Sequence, residues 1–273
     1  MLFFQKNILP SFFGRCRGLS ARLLLNERRC AACHHPFIPQ KNEDFCSECL
    51  AAISRKSVRC PACGKKLDGT AAALCGECLR RPPPWDALAL NGDYEGILRH
   101  AILRAKFAAD AAALAALGKE LASACLRSRQ DWEPRWRTAV QAQSKAEIPA
   151  EQASAGPLPF MAIIPVPLHP VRLRQRGFNQ SQELALAMSD ILDIPVRENL
   201  LERIVDTPSQ RGKNPAQRHA NMSGVFHASP DVRGGSFLLV DDVLTTGATL
   251  SAATNALKTA GAYWVAVAVA ARA

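Results

Sequence analysis

Three apolar runs interrupt the mixed pattern of the chain and predict strands that are buried on both faces. Residues 237–240 and 263–269 are almost continuously apolar, which is typical of parallel strands covered by helices. Residues 161–168 show the same pattern, broken by prolines that end the strand where a loop must turn. The sequence therefore predicts an α/β fold with a mainly parallel sheet. Apolar residues at helical spacing predict helices at 97–107, 108–126, 180 to about 192, and 250–260.

The composition is that of an ordinary globular protein with a surplus of basic residues. The 273 residues carry a net charge of +10, which is compatible with phosphate-rich partners, including nucleic acid. No apolar run approaches the length of about 18 residues that a membrane span needs, so we predict no transmembrane segment. The N-terminus lacks a long uncharged apolar stretch followed by a small-residue cleavage site. We therefore expect a cytoplasmic protein.

Residues 1–29 form a separate segment in which phenylalanines and leucines alternate with lysine and arginine. The pattern is amphipathic, and its simplest interpretation is a segment that docks on the protein body or forms a loose tail. Peripheral contact with an anionic membrane surface, or packing as a partner helix, are the alternatives.

Four C-x-x-C pairs define a small module at residues 30–80. Each pair presents two thiolates from one tight turn, and two pairs complete a closed tetrahedral site for structural zinc. We predict two zinc ions, with sequential pairing of the cysteine pairs as the simplest arrangement and an interleaved pairing as the alternative. Thiolate ligands indicate a reducing compartment. The predicted ligands are Cys30, Cys33, Cys46, Cys49, Cys60, Cys63, Cys75 and Cys78.

A stiff proline-rich stretch at 81–85 separates this module from a larger domain at 85–273. Within that domain, periodicity lapses from 127 to 159 into a composition of glutamine, alanine, serine, glutamate and proline. We expect these residues to form a long mobile insert.

The run at 237–249 predicts a strand, a loop and a helix start that together form a site for a phosphorylated sugar. Asp241 and Asp242 leave the carboxyl end of the strand, where open parallel sheets bind ligands. The run is similar to the signature of type I phosphoribosyltransferases for 5-phosphoribosyl-1-pyrophosphate (PRPP). The resemblance implies that the two acids bind the ribose hydroxyls. It implies that the 5-phosphate is held by Thr245, Thr246, Gly247, Ala248 and Thr249.

Basic residues supply a second candidate part of the site. Arg172, Arg174 and Arg176 precede a predicted helix start and are suited to the pyrophosphate of PRPP or to a nucleic-acid backbone. Lys106, at the end of a helix with one basic face, is a further candidate for pyrophosphate. His169 is a candidate general base, although a histidine at a strand end is more often structural.

A set of motifs resembles the ComF/GntX family over nearly the whole range from residue 30 to residue 271. The resemblance implies a zinc-ribbon module joined to a phosphoribosyltransferase-like domain, and a role in natural competence, the uptake and processing of transforming DNA. The chain departs from the family at Lys213, where an apolar residue is usual, and in its long insert. The motifs are Tyr94-x-Gly96, Lys106-Phe107, Pro165-Val166-Pro167-Leu168-His169, Arg172-Leu173-Arg174-x-Arg176-Gly177-Phe178-Asn179-Gln180, Arg203 with Thr207 and Gln210, Arg218-x-x-Asn221-x-x-Gly224-x-Phe226, and the 237–249 run.

Three functions follow from this resemblance and from the charge. The first is transfer of phosphoribose from PRPP, with magnesium bound to the substrate, to an acceptor that the sequence does not identify; Asp241, Asp242, Arg174 and Arg176 would carry the chemistry. The second is single-stranded DNA binding without catalysis. The third is a scaffold whose zinc ribbons recruit other competence proteins.

Overall fold

The computed structural model describes residues 27–40, 43–53, 57–69, 73–107, 110–143, 158–205 and 224–273. The strands are β1 (Arg28–Arg29), β2 (Pro36–Phe37), β3 (Ala87–Asp93), β4 (Ala162–Pro165), β5 (Leu201–Arg203), β6 (Phe226–Ala228), β7 (Ser236–Leu244) and β8 (Trp264–Arg272). The helices are α1 (Ser47–Ile53), α2 (Gly76–Arg80), α3 (Gly96–Phe107), α4 (Ala111–Gln143), α5 (Pro170–Arg176), α6 (Gln180–Leu192) and α7 (Ala248–Thr259).

A parallel sheet of four strands, in the order β3-β8-β7-β4, forms the frame of the larger domain. Side chains of β7 alternate between its two faces. Leu238 and Val240 pack with the buried residues of α4 and α6, whereas Phe237 and Leu239 pack with those of α7. Burial on both faces explains the continuous apolar sequence of the strand. The predicted α/β fold with a parallel sheet is confirmed, and β3 is an additional strand at its edge.

Helices α4 and α6 pack closely against each other on one face of the sheet. A Cβ atom at Gly118 of α4 would lie 2.7 Å from Cβ of Ala187 on α6, so only glycine allows this approach. The contact buries Leu117, Leu121, Leu184 and Met188. Helix α7 covers the opposite face together with β6.

Helix α4 continues through residues 127–143, where the sequence analysis expected the start of an irregular mobile insert. That expectation was wrong for this stretch because tryptophans extend the buried stripe of the helix. Trp132 is buried and makes an edge-to-face contact with Phe160, with 6.0 Å between ring centroids. The indole N–H of Trp136 donates to the hydroxyl of Tyr263 at 3.1 Å. The rest of the predicted insert up to 157 lies outside the described residues, as does the segment 1–26.

Two short antiparallel pairs complete the described part of the fold. β1 pairs with β2 in the cysteine module, and β5 pairs with β6 beside α7. The module packs directly on the larger domain: Phe45, Cys49 and Ile53 belong to the same buried cluster as Leu98 and Ile102 of α3.

Candidate functional site

Within the described residues, the eight predicted cysteine ligands form two separate tetrads, and the pairing is sequential. Within each tetrad all four sulfur atoms lie within 4.8 Å of one another. Cys33 Sγ and Cys46 Sγ are 3.9 Å apart, and Cys63 Sγ and Cys75 Sγ are 3.7 Å apart. A tetrahedron with metal–sulfur distances of about 2.3 Å has edges of about 3.8 Å, so both tetrads fit zinc. The first tetrad is Cys30, Cys33, Cys46 and Cys49, and the second is Cys60, Cys63, Cys75 and Cys78.

Backbone groups support the sulfurs in the same way in both tetrads. The N–H of Cys46 donates to Cys30 Sγ at 3.3 Å, and the N–H of Cys75 donates to Cys60 Sγ at 3.4 Å. Donation to a sulfur favours its thiolate form, which is the form that binds metal. With four sulfur ligands each, the sites are closed, which is the arrangement of structural zinc.

Ion pairs hold the cysteine module against the larger domain. Arg59 binds Asp93 at the end of β3 through two parallel contacts of 2.7 and 2.8 Å. These hydrogen bonds hold the pKa of the Asp93 carboxyl below its ordinary value. Lys119 of α4 contacts Asp44 of the module at 2.7 Å.

The two predicted acids lie at the carboxyl end of β7, and each has a partner from a different helix. The hydroxyl of Ser181, in the first turn of α6, donates to Asp241 Oδ1 at 2.9 Å. Lys106, at the end of α3, contacts Asp242 Oδ2 with its Nζ at 2.7 Å. The backbone N–H of Asp242 donates to Asp241 Oδ1 at 2.9 Å. The structure thus pairs Lys106, which the sequence analysis gave as a candidate for pyrophosphate, with Asp242, and it adds Ser181 to the acid cluster.

Asp241 is ionised less readily than an ordinary aspartate. Burial, and then the neighbouring charge of Asp242, raise its pKa to about 7. The hydrogen bonds from Asp242 N–H and Ser181 oppose this shift. Near neutral pH this carboxyl is therefore poised between its protonated and ionised forms, which is a common property of ligand sites.

The loop after β7 leads directly into α7. Gly247 has φ of 77°, a left-handed conformation that favours glycine, and α7 begins at the next residue. The N–H of Ala248 donates to Thr246 Oγ1 at 3.4 Å. The first turn of any helix presents N–H groups without intrahelical partners, and these groups suit an anion. Thr245 is exposed, and Thr246 and Thr249 are partly exposed.

The three predicted arginines lie on the short helix α5, at the same carboxyl edge of the sheet. Helix α5 follows β4, which pairs with β7, so the arginines lie on the connection next to the acid pair. Arg174 and Arg176 are in the last turn and are exposed. Arg176 donates to Gln180 Oε1 at 3.3 Å, and Arg172 is partly buried.

His169 and Asn179 have structural positions at helix starts. His169 caps α5, and its Nδ1 accepts from the N–H of Val171. Asn179 caps α6 by accepting from the N–H of Ser181 at 3.2 Å, and its Nδ2 donates to the carbonyl of Val166 at 3.1 Å. Asn179 therefore ties the start of α6 to the end of β4, which sets the position of Ser181 beside Asp241.

Two known domain families match this arrangement of a cysteine module and an α/β domain. Residues 175–273 match the phosphoribosyl transferase domain, and residues 21–79 match the double zinc ribbon domain. The chain is 32% identical over 236 residues to Competence protein F of Haemophilus influenzae. The aligned region covers 85% of this chain and 92% of that protein. The chain belongs to the ComF/GntX family.

Other members of the family are similar over comparable lengths. The chain is 31% identical to DNA utilization protein YhgH of Escherichia coli O157:H7, with 82% of this chain and 88% of that protein covered. It is 24% identical to Competence protein ComFC of Bacillus subtilis, with 81% and 80% covered. The family resemblance drawn from the sequence is thereby confirmed, and so is the combination of zinc ribbon and phosphoribosyltransferase-type domain.

Some family motifs lie outside the described residues, namely Thr207, Gln210, Arg218 and Asn221. Within the described part of the chain, no helix is both long enough and apolar enough to cross a membrane.

Proposed function

We propose that this ComF/GntX protein is a cytoplasmic PRPP-binding protein that acts in the processes for which its relatives are named, competence and DNA utilization. The observation that carries the proposal is the cluster at the end of β7. Asp241 and Asp242 are adjacent carboxylates at the end of β7, and Lys106 contacts Asp242. The helix start at Gly247 follows a few residues later. These groups match the hydroxyls, the pyrophosphate and the 5-phosphate of PRPP.

Each group has a defined task in this proposal. Asp241 and Asp242 accept hydrogen bonds from the two ribose hydroxyls, and the loop from Thr245 to Thr249 donates to the 5-phosphate. Lys106 neutralises Asp242 in the absence of ligand. When PRPP binds, the same ammonium group can share its donors between Asp242 and the pyrophosphate.

Transfer of phosphoribose would be a displacement at ribose C1. A bond forms between C1 and the acceptor while the bond from C1 to the pyrophosphate oxygen breaks, and that electron pair leaves with pyrophosphate. Arg174 and Arg176 donate to the leaving group, while the acid pair holds the sugar in place. Magnesium, when bound with PRPP, would supply further charge neutralisation at the pyrophosphate.

Calorimetric titration with magnesium and PRPP tests the site through the variant Asp242→Asn. The substitution removes the charged acceptor of a hydrogen bond from a ribose hydroxyl. It is expected to weaken PRPP binding by about 10- to 100-fold, which corresponds to the energy of a hydrogen bond to a charged group. Asp86→Asn is a matched control because Asp86 also pairs with a lysine, Lys258, at 2.8 Å, but at the opposite edge of the sheet. Equal affinities of the two variants, or no binding by the wild type, would refute the proposed site.

Single-stranded DNA binding is a second candidate function, because α5 presents exposed arginines and the chain has a net charge of +10. Phosphate contacts release counterions, so the logarithm of the binding constant falls linearly with the logarithm of salt concentration. The double variant Arg174→Gln/Arg176→Gln is expected to reduce this slope by about 1.4, or about 0.7 for each lost contact.

Fluorescence polarisation of a labelled single-stranded oligonucleotide between about 50 and 200 mM salt measures the slope. Arg129→Gln/Arg137→Gln is the control, because it removes the same charge from α4, where both arginines pair with Glu133. The same change of slope in both double variants would contradict a DNA site on α5.

A further inference from the structure

The second zinc tetrad lies directly behind the loop that follows β7, and two side chains join them. The first is Trp85, which is only 7% exposed. Its indole N–H donates to the carbonyl of Ala62, between Cys60 and Cys63, at 2.7 Å. The far edge of its ring lies behind Gly247, where a Cβ atom would meet Trp85 Cη2 at 3.1 Å. One rigid aromatic ring therefore spans from the cysteine turn to the centre of the loop.

Arg272, at the end of β8, makes the second connection. Its Nε donates to the carbonyl of Cys63 at 3.1 Å, and its Nη1 donates to the carbonyl of Leu244 at 3.2 Å. Leu244 is the last residue of β7 and immediately precedes Thr245. Because the guanidinium group is planar, its two donors keep a fixed separation. Arg272 thus joins the backbone of a zinc ligand to the end of β7, immediately before the loop.

The first tetrad has a different connection at the equivalent position. Its first two cysteines enclose Ala32, whose carbonyl accepts from Arg104 of α3 at 2.8 Å. Arg104 also pairs with Asp110, at the start of α4. The two tetrads therefore use equivalent carbonyls, but the first is joined to α3 and α4 and the second is joined to the loop after β7.

We infer that the second zinc tetrad supports residues 244–249, which contain the proposed phosphate-binding loop. Trp85 and Arg272 are positioning residues that hold this segment against the cysteine turn. Zinc at the second tetrad fixes the turn that carries the Ala62 and Cys63 carbonyls. This turn then holds the indole and the guanidinium against Gly247 and Leu244. The consequence for PRPP affinity rests on the function proposed above, whereas the positioning itself can be measured without ligand.

Hydrogen exchange of the zinc-loaded full chain, followed by mass spectrometry, tests the positioning. Arg272→Met and Trp85→Phe each remove a connection and are expected to speed exchange of the hydrogen-bonded amides that follow the loop, those of Ala248 and Ser251, by about tenfold, since one net hydrogen bond is worth roughly that factor. Arg104→Met removes the corresponding bond of the first tetrad and should leave these amides unchanged. Arg272→Lys keeps one donor and should restore part of the protection.

Zinc content of two ions per chain, expected from the two tetrads, confirms that each variant keeps its module folded. Unchanged loop exchange in both Arg272→Met and Trp85→Phe would overturn the inference, as would equal acceleration by Arg104→Met. Titration with magnesium and PRPP then adds a separate result. We expect weaker binding by Arg272→Met than by Arg104→Met, with partial recovery in Arg272→Lys. If the wild type fails to bind PRPP, the proposed function falls, and the exchange data still decide the positioning role.

Discussion

Asp241 is an acid held where its ionised form is costly. It lies beside a second carboxylate and is largely removed from water, and its pKa rises from an ordinary value of 3.8 to about 7. Ser181 and the Asp242 N–H offset only part of this cost. A stability penalty at a ligand site is understandable if the ligand supplies the missing donors, as ribose hydroxyls would.

Asp241→Asn should therefore make the free protein more stable at alkaline pH. The native carboxyl binds its proton more tightly than the unfolded one, so its contribution to stability is fully present below the ordinary pKa of 3.8 and is lost as the pH rises from there through about 7. Between pH 6 and 8 the wild type should lose about 1 kcal/mol of unfolding free energy relative to the variant. Urea unfolding at several pH values measures this difference. A difference that stays constant from pH 6 to 8 would show that the pKa of Asp241 is not raised.

The loop between β7 and α7 depends on a residue without a side chain. Gly247 is left-handed, with φ of 77°, and its missing Cβ leaves room for Trp85. A side chain here meets two obstacles, the unfavourable backbone conformation and the buried indole. The same glycine thus sets both the turn into α7 and the contact with the ring behind it.

Gly247→Ala is expected to destabilise the protein by about 2 to 3 kcal/mol, of which about 1 kcal/mol comes from the left-handed backbone and the rest from displacement of Trp85. Gly234→Ala separates the two contributions. Gly234 has φ of 69°, but no heavy atom of the described residues lies within 4 Å of the place that its Cβ would take. Denaturant unfolding of both variants gives the difference. Equal losses of stability would mean that the ring does not restrict position 247.

Local sequence predicted the β7–α7 unit well because its information is contained in one continuous stretch. A strand buried on both faces must be apolar throughout, and a tight turn into a helix favours glycine. The residue types of 237–249 are therefore sufficient to predict the strand, the turn and the helix start. The same holds for the cysteine pairs. By contrast, the extension of α4 was missed because Trp132 and Trp136 continue a narrow buried stripe through a mostly polar composition.

Contacts between distant elements were the other part that the sequence did not reveal. Ser181 lies in the first turn of α6, and nothing in its neighbourhood specifies that it reaches Asp241, 60 positions later. Arg272 reads locally as the end of an apolar strand. Arg272 contacts Cys63, which lies 209 positions earlier in the chain, and this contact depends on how the module packs against β8. Such residues are identified only when the packing of the elements is known.

The cysteine module and the larger domain share one core, although the two tetrads take part in it differently. Cys30 and Cys49 of the first tetrad lie in the large buried cluster that includes Leu98 and Ile102. Cys60, Cys75 and Cys78 of the second tetrad form a small cluster of their own. Loss of the first zinc ion therefore exposes or loosens apolar surface of the larger domain, whereas loss of the second acts mainly on its own turn and on the loop after β7.

Cys46→Ser and Cys75→Ser form a matched pair that tests this asymmetry, because both cysteines donate their N–H to the first sulfur of their tetrad. Each variant should retain one zinc ion per chain. We expect Cys46→Ser to lower the Tm of the whole chain by about 5 to 10 °C, corresponding to roughly 2 to 3 kcal/mol, and Cys75→Ser to lower it by about half as much. Differential scanning calorimetry of the full chains measures both values.

A larger effect of Cys75→Ser would contradict the asymmetry. A second transition for an independently melting module would contradict the shared core, because the apolar contacts between Phe45, Ile53 and α3 require the two parts to unfold together.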